Sequence, residues 1–278
     1  MISCIIPTRD RRRFIGAAIR SVLAQEGLDN GVEILVVDDG SKDHTREYVE
    51  AMFPEVRIVD AGGLGPGNAR NIGVSEARGE VLMFLDSDDI WHRHHAQRLL
   101  WAMESTGHEC AFGITKTIDL NGGQSFFIPQ DGSKVKGLSS DALRYLGQWC
   151  FLVPSSFAIT RAAFERVGGF SGEVPLGEDW IFFLRLSAHT PFAFSPEVIT
   201  TRRLHSSSMC KQGISIKSLL RLMNALEGEL KALGAWGEEM DILSKKRRQL
   251  ILKEGKDWTS IQEWYLAMSK HGLIPKGL

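Results

Sequence analysis

Residues 81–89 read Val-Leu-Met-Phe-Leu-Asp-Ser-Asp-Asp, five apolar residues followed directly by three carboxylates within four positions. An unbroken apolar run of this length is typical of a parallel β-strand that is covered on both faces. Asp86, Asp88 and Asp89 would then lie at the carboxyl edge of a sheet, where open α/β sheets bind ligands. Acids this close repel one another unless a cation lies between them, and hard oxygen ligands select Mg²⁺ or Mn²⁺. By itself, the motif fits an Asx-type turn with a helix cap before Trp91 equally well.

Three further apolar segments, residues 2–6, 33–37 and 56–59, precede this run and alternate with stretches of helical spacing. Strands that alternate with helices in this way favour right-handed crossovers and a mostly parallel sheet. We therefore predict an α/β fold with a mostly parallel central sheet and helices on both faces. Apolar residues at helical spacing beyond residue 212 predict a C-terminal helical extension.

Composition limits the class of function. The chain has 278 residues and a net charge of -1, which gives no overall attraction to nucleic acid, so we expect no nucleic-acid partner. Cys4, Cys110, Cys150 and Cys210 form no CxxC pair, which argues against a zinc site or a disulfide framework and favours reduced thiols in the cytoplasm. No apolar run approaches the roughly 20 residues that span a bilayer. We expect a cytoplasmic protein, at most peripheral at the inner face of the membrane.

A glycine-rich segment, residues 62–71, does not match a dinucleotide fingerprint. That fingerprint follows the first strand, whereas these glycines follow the third, and Arg70 occupies the position of its third glycine. What remains is a turn at a helix N-terminus that carries Arg70, able to hold an anionic or nucleotide group. A plain loop with a surface arginine is the alternative interpretation.

Two residues in the second half have a functional and a structural interpretation. Asp179 starts a predicted helix, where it would serve as a cap, but the apolar neighbours Trp180 and Phe182 could desolvate it and suit it to general-base catalysis. His205 lies among serines, as a solvated loop residue or as a metal ligand.

Seven short motifs occur in order over roughly the first 210 residues: Pro7-Thr8, Val37-Asp38-Asp39-Gly40-Ser41, Gly67-Asn68-Ala69-Arg70-Asn71, Leu85-Asp86-Ser87-Asp88-Asp89, Gly168-Gly169-Phe170, Gly177-Glu178-Asp179-Trp180, and Arg203-Leu204-His205 followed by Ser208-Met209. This series resembles the inverting family-2 glycosyltransferases, which have the GT-A nucleotide-sugar fold. The chain departs from that family at Arg9-Asp10, where an aromatic residue and Asn are frequent.

The resemblance implies a role for each matching residue. Asp179 would be the catalytic base, while Asp88 and His205 would hold Mn²⁺ or Mg²⁺. The acceptor would contact Gly169, Glu178 and Trp180. The nucleotide-sugar donor, a UDP-sugar, would contact the following residues: Pro7, Thr8, Arg9, Asp38, Asp39, Asn68, Arg70, Asp86, Ser87 and Asp88.

The resemblance also implies the reaction and the domain organisation. A single base without a nucleophile implies direct displacement with inversion, onto a hydroxyl of a saccharide, lipid-linked or protein acceptor, as in cell-envelope polysaccharide biosynthesis. We expect a catalytic domain over residues 1–212, with a nucleotide-binding half (1–90) and an acceptor half (91–212), followed by a helical subdomain over residues 213–278. Residues 245–248, Lys-Lys-Arg-Arg, would form a solvated helix face or contact anionic lipid.

Two other functions are weighed against this one. A sugar-nucleotide nucleotidyltransferase would have a glycine-rich basic loop after its first strand, whereas residues 7–13 are basic but lack glycine. A non-catalytic sugar-nucleotide binding module has no need of both Asp88 and Asp179.

Overall fold

The structure is a computed structural model that describes residues 1–28, 31–122, 125–129, 142–174, 176–211, 213–254, 257–258 and 261–274. Within these ranges the side chains of residues 210, 261, 262 and 265 are not described, so the prediction for Cys210 lies outside the described part. Cys4, Cys110 and Cys150 are free thiols in the described part of the chain.

The first part of the chain forms four parallel strands separated by helices. In order, the elements are β1 (Ile2–Thr8), α1 (Arg12–Leu23), β2 (Val32–Asp38), α2 (Thr45–Met52), β3 (Arg57–Asp60), α3 (Pro66–Glu76) and β4 (Val81–Phe84). β1 pairs in parallel with β2 and with β4, and β2 pairs in parallel with β3. The strand order β3-β2-β1-β4 confirms the predicted alternation.

The two faces of this sheet carry separate apolar clusters, because alternate residues of a strand point to opposite faces. On one face Ile5 and Phe84 pack with Val74 of α3. On the other face Ile6 packs with Ile15 of α1. Helices therefore cover both faces, as predicted.

The second part of the chain extends the sheet with strands of mixed direction. Its elements are β5 (Ile90–Trp91), α4 (His95–Thr106), β6 (Cys110–Asp119), β7 (Phe126–Ile128), α5 (Ala142–Gln148), β8 (Phe157–Thr160), α6 (Arg161–Arg166), α7 (Glu178–Ser187) and β9 (Phe192–Leu204). β8 pairs antiparallel with both β4 and β6, and β6 pairs in parallel with β9. β5 and β7 are antiparallel partners of β9 and β6. The sheet is thus parallel in its first part and mixed in its second.

Strand β9 is the longest strand described, at 13 residues, and the sequence analysis does not predict it. Pro196 and Glu197 interrupt its apolar pattern, since proline cannot donate a ladder hydrogen bond. The structure accommodates them at a bulge, where the register of β6 shifts from Gly113 opposite Ser195 to Ile114 opposite Val198.

The predicted C-terminal helices are present as α8 (Ile216–Ala232), α9 (Glu238–Glu254) and α10 (Ile261–Lys270). One apolar cluster joins Phe84 of β4 and Phe182 of α7 to Leu219 of α8 and Trp264 of α10. The helices therefore share a core with the sheet, and the division between residues 212 and 213 remains a prediction, with Gln212 outside the described residues. No helix among the described residues has the length and apolarity needed to cross a membrane.

The carboxyl ends of the parallel strands meet at one edge of the sheet. Thr8 at the end of β1 lies opposite Asp38 at the end of β2, which lies opposite Asp60 at the end of β3. β4 ends at Phe84 beside Ile5, so the chain that follows it emerges at the same edge. This edge is where the sequence predicts a ligand site.

Candidate active site

A cavity of about 1000 Å³ opens at this edge and is bounded by residues from both halves of the chain. Eleven of the predicted site residues line it: Pro7, Thr8, Arg9, Asp39, Arg70, Asp86, Ser87, Asp88, Glu178, Asp179 and Trp180. The fold therefore brings the predicted base into the same cavity as the predicted donor residues, which lie about 90 or more positions earlier in the chain. Their individual roles remain predictions.

The three carboxylates after β4 each have a different partner. Asp86 accepts a hydrogen bond from Arg70 at 2.7 Å, and Asp88 accepts one from Arg11 at 3.4 Å. Asp89 is buried and accepts a hydrogen bond from Ser155 at 2.7 Å. Each acid thus has a protein partner, but burial, and then the charges of Asp88 and Asp86, still raise the pKa of Asp89 well above its ordinary value.

Arg70 lies at the centre of the site, buried between two acids. Its Nη1 donates to Glu178 at 2.9 Å and its Nη2 to Asp86 at 2.7 Å, while its guanidinium lies 5.2 Å from the ring centroid of Phe170. Burial opposes the positive charge, but Asp86 and then Glu178 outweigh it and raise the pKa of Arg70. Arg70 therefore stays charged and links the strand β4 edge to the start of α7.

Asp88, which lines the cavity, pairs with His205, which does not. Nε2 of His205 lies 3.0 Å from Oδ2 of Asp88, and the imidazole stacks on Phe14 with a centroid separation of 4.2 Å. Burial works against ionisation of Asp88, but the hydrogen bond with His205 and the charge of Arg11 lower its pKa below the ordinary value. Asp88 is therefore an ionised carboxylate whose orientation is fixed by two neighbours.

Glu178 and Asp179 begin α7, after Gly177 adopts the left-handed conformation with φ of 78°. Glu178 is buried against Arg70, whereas Asp179 is only half-buried and lines the cavity. Burial, and then the charge of Asp179, raise the pKa of Glu178 to about 7 against the opposing effect of Arg70. Burial is also the largest cause that raises the pKa of Asp179, whose Oδ1 accepts the backbone N–H of Trp180 at 2.8 Å. Asp179 is the more accessible acid of the two.

Thr8 and Asp39 also line the cavity: Thr8 ends β1, and Asp39, the residue after β2, donates its backbone N–H to the Thr8 carbonyl at 2.8 Å. The Asp39 carboxylate accepts the backbone N–H of Gly65 at 3.0 Å, and Arg9 lies 4.0 Å away. The Thr8 hydroxyl is buried and has no hydrogen-bond partner among the described residues. A buried polar group without a partner is costly, so this hydroxyl is available to a ligand.

Four predicted site residues are outside the set that lines the cavity. Asp38 accepts the backbone N–H of Ser41, and Asn68 donates to the carbonyl of Leu64, so both side chains have structural partners. Gly169 has φ of 69°, and a Cβ there would lie 2.7 Å from the Asn71 side chain. His205 reaches the site only through Asp88.

Three contributors were not predicted from the sequence. Ser155 lies in a short 3₁₀ turn (Pro154–Ser156) before β8, where its hydroxyl donates to Asp89 and accepts the backbone N–H of Asp86 at 3.0 Å. Nε of Arg203 donates to the carbonyl of Asp88, and Arg11 donates to Asp88 itself. Two of them carried a signal, Arg11 in the basic segment after β1 and Arg203 in the motif Arg203-Leu204-His205, although neither was assigned a role. Ser155 is 69 positions from Asp86, and no local pattern marks it.

The residues predicted to hold a metal ion can be tested against this geometry. Among the described residues, no group of three or more His, Cys, Asp or Glu side chains is placed to hold an ion. The pair of Asp88 and His205 nevertheless fits Mg²⁺ or Mn²⁺, since such ions are often held by one or two protein ligands together with substrate phosphates. The pair alone would be a weak site, completed by a diphosphate.

The remaining wall of the cavity, beyond Asp179, is largely apolar. It is formed by β7, by the segment after α5, by the turn Met209–Lys211 and by helices α8 and α10. The side chains involved include Phe126, Phe127, Ile128, Trp149, Phe151, Leu222, Trp264 and Leu266. Trp149 packs against both Trp180 and Trp264, at centroid separations of 5.5 and 5.8 Å. The C-terminal helices thus contribute directly to this wall.

Comparison with known proteins gives a family match and a related sequence. A model of the family described as "Glycosyl transferase family 2" matches residues 3–168. An uncharacterized glycosyltransferase of Nostoc sp. is 33% identical over 174 residues, which cover 60% of this chain and 52% of that protein. The chain therefore spans about half the length of this curated relative.

Two solved structures share the fold. Staphylococcus aureus TarS, crystallised with UDP-GlcNAc, superposes with a TM-score of 0.65 at 19% identity, covering 99% of this chain and 81% of that one. The mannosyltransferase PcManGT from Pyrobaculum calidifontis, in complex with GDP-Man and Mn²⁺, gives a TM-score of 0.60 at 16% identity, covering 99% and 76%. These similarities confirm the predicted GT-A type of fold.

Proposed function

This chain belongs to glycosyl transferase family 2, whose members are inverting glycosyltransferases, and we propose that it transfers a sugar from a UDP-sugar to an acceptor hydroxyl with inversion. The observation that carries the proposal is the half-buried Asp179 in the same cavity as Asp88 and the unpartnered hydroxyl of Thr8. A general base (Asp179), a carboxylate that can anchor a cation (Asp88) and a buried hydroxyl free to form a hydrogen bond (Thr8) suit this reaction when they share one cavity. Neither nucleotidyl transfer nor binding alone needs the base.

Asp179 acts as the general base in this proposal. Its carboxylate accepts the proton of the acceptor hydroxyl as the oxygen attacks the anomeric carbon, and the bond from that carbon to the diphosphate breaks. The raised pKa of Asp179 strengthens it as a base. Because the proposal uses one carboxylate as a base and no enzyme side chain as a nucleophile, the acceptor oxygen displaces the diphosphate directly and the anomeric centre is inverted.

Glu178 has a different part, although it is the adjacent acid. Side chains of consecutive helical residues point about 100° apart, so the two acids face different directions. Glu178 is bound to Arg70 at 2.9 Å. We propose that Glu178 holds Arg70, and through it Asp86, in place at the donor end.

The diphosphate end of the donor would lie near Asp88, Arg11 and His205. A divalent cation bound there, with Asp88 and His205 as its protein ligands, would neutralise the charge that develops on the departing diphosphate. Arg11 donates to the carbonyl of Ser207 at 3.1 Å and to Asp88, so its positive charge is held at this end of the cavity.

The nucleotide end would lie over Pro7, Thr8 and Asp39. UDP as the nucleotide is supported by the UDP-GlcNAc bound to TarS, which shares the fold, and the Mn²⁺ bound to PcManGT supports a divalent cation. The division into a catalytic domain up to residue 212 and a helical subdomain after it, with a cytoplasmic or inner-membrane-face location, belongs to the same proposal.

A donor screen tests this function. The protein is incubated with UDP-, GDP- and dTDP-sugars and Mn²⁺, and release of the free nucleotide is followed with and without a saccharide mixture as acceptor. We expect release from a UDP-sugar that is stimulated by acceptor and is lost in Asp179→Asn. Equal release from all nucleotides, or release unaffected by this substitution, would contradict the proposal.

A further inference from the structure

The apolar wall of the cavity ends in three exposed side chains that come from separate elements. Phe127 of β7 is 42% exposed, Met209 of the 3₁₀ turn is 44% exposed and Leu266 of α10 is 52% exposed. All three line the cavity that contains Asp179. We name these three residues the apolar rim. Single exposed apolar side chains are common, but three around one opening mark a surface that binds an apolar group.

Three polar groups on the same wall already have partners, and a fourth, the indole N–H of Trp264, is buried away from the cavity surface with no partner among the described residues. The indole N–H of Trp180 donates to the carbonyl of Leu146, and the Cys150 thiol lies 3.5 Å from the carbonyl of Leu152. Lys211, beside Met209, is paired with Asp119. A sugar hydroxyl that bound any of these three groups would have to displace an existing partner. This part of the wall therefore suits hydrocarbon better than a further run of sugar residues.

The wall is also continuous with the reacting centre. Trp180 directly follows Asp179, and Trp149 packs between Trp180 and Trp264 of α10. An acceptor whose hydroxyl reaches the Asp179 carboxylate would thus extend along these rings toward the apolar rim.

We propose that the acceptor is an amphiphile, with a sugar hydroxyl at Asp179 and an apolar aglycone on the apolar rim. This inference rests on the glycosyl transfer proposed above. The acceptor oxygen forms its bond to the anomeric carbon, the bond from that carbon to the diphosphate oxygen breaks, and the acceptor proton passes to Asp179. Burial of each methylene group of the aglycone should favour binding about fourfold, so a chain of several methylenes has a large effect.

The test compares octyl with methyl glycosides of glucose, galactose, mannose and N-acetylglucosamine, each below its critical micelle concentration. Binding to the UDP-saturated protein is measured by calorimetry. We expect at least one octyl glycoside to bind at least ten times more tightly than its methyl counterpart, which corresponds to burial of about two of the added methylene groups. The triple variant Phe127→Ser, Met209→Ser, Leu266→Ser should lose that preference.

A matched variant controls for loss of exposed apolar surface in general. Met52, Trp101 and Leu252 are 56%, 62% and 61% exposed and lie away from the cavity lining. Changing these three to Ser should leave the octyl preference intact.

The outcomes separate this inference from the proposed function. UDP affinity is measured first, and its absence would overturn the donor site and the acceptor inference together. Normal UDP affinity with equal binding of octyl and methyl glycosides, or with neither bound, would overturn the amphiphilic acceptor only. An octyl preference that persists in the apolar rim variant, or falls equally in the control variant, would overturn the assignment to the apolar rim.

Discussion

Asp179→Asn should separate catalysis from binding. The change keeps the size of the side chain, and its amide oxygen can still accept the Trp180 N–H at 2.8 Å, so α7 should start normally. It removes the basic carboxylate from the cavity. We expect unchanged UDP affinity and a transfer rate lower by roughly 10² to 10⁴, the usual contribution of acid-base catalysis. That loss equals about 3 to 5 kcal/mol of transition-state free energy.

Glu178→Gln is the matched comparison, and the structure predicts the opposite pattern. It replaces the charged partner of buried Arg70, which keeps its 2.7 Å hydrogen bond to Asp86. Hydrogen bonds to charged groups contribute about 1.5 to 3 kcal/mol, and we expect the lower part of that range because Glu178 titrates near neutrality. The free energy of unfolding, measured by urea denaturation at pH 7, should therefore fall by about 1.5 kcal/mol. The transfer rate should fall less than in Asp179→Asn.

The pH dependence of transfer provides a second measurement. Burial raises the pKa of Asp179, so this base stays protonated, and inactive, up to a higher pH than an ordinary aspartate. The initial rate of the unsubstituted protein should rise as pH increases through that pKa and then level off. Asp179→Asn should lack this rise. Near-normal transfer by Asp179→Asn, or greater damage from Glu178→Gln with the circular dichroism spectrum unchanged, would refute the assignment.

Three further substitutions test the donor end. Asp88→Ala should abolish metal-stimulated turnover, and excess chelator should do the same to the unsubstituted protein; full activity in chelator would remove the metal from the proposal. Asp39→Ala should weaken UDP binding measured by calorimetry by about 10- to 150-fold, which corresponds to roughly 1.5 to 3 kcal/mol, and an unchanged dissociation constant would remove Asp39 from the site. Ser155→Ala removes a hydrogen-bond donor from buried Asp89, so it should lower the free energy of unfolding by about 1 to 3 kcal/mol and weaken UDP binding. The control is Ser156→Ala, which loses only a hydrogen bond to a backbone carbonyl and should leave UDP binding unchanged.

The parallel part of the fold was predictable because its signals are local. The apolar run before Asp86 indicated a buried strand, and each preceding strand ended in a recognisable turn. The parallel edge of the sheet follows from the alternation of strands and helices. The position of β8 was not predictable, since a strand that inserts antiparallel between β4 and β6 depends on contacts far apart in sequence.

The site was predictable to the extent that its residues follow strand ends or start helices. The partners of the carboxylates were not predictable, because they are distant in sequence. Ser155 is 69 positions from Asp86, and Arg203 is 115 positions from Asp88. The clustered acids by themselves predict a bound cation. In the structure Arg70, Arg11 and Ser155 provide a hydrogen-bond partner for Asp86, Asp88 and Asp89, respectively.

The bond between Arg70 and Glu178 joins residues 108 positions apart, which has a consequence for how the protein folds. Contacts that close long loops form late when local strand-helix units can form first, because loop closure costs entropy before the contact repays it. The four parallel strands would then assemble before the base is brought to the donor residues. The stability lost in Glu178→Gln should accordingly appear as faster unfolding with little change in the refolding rate. The catalytic arrangement would be the last part of the molecule to form and the first to come apart.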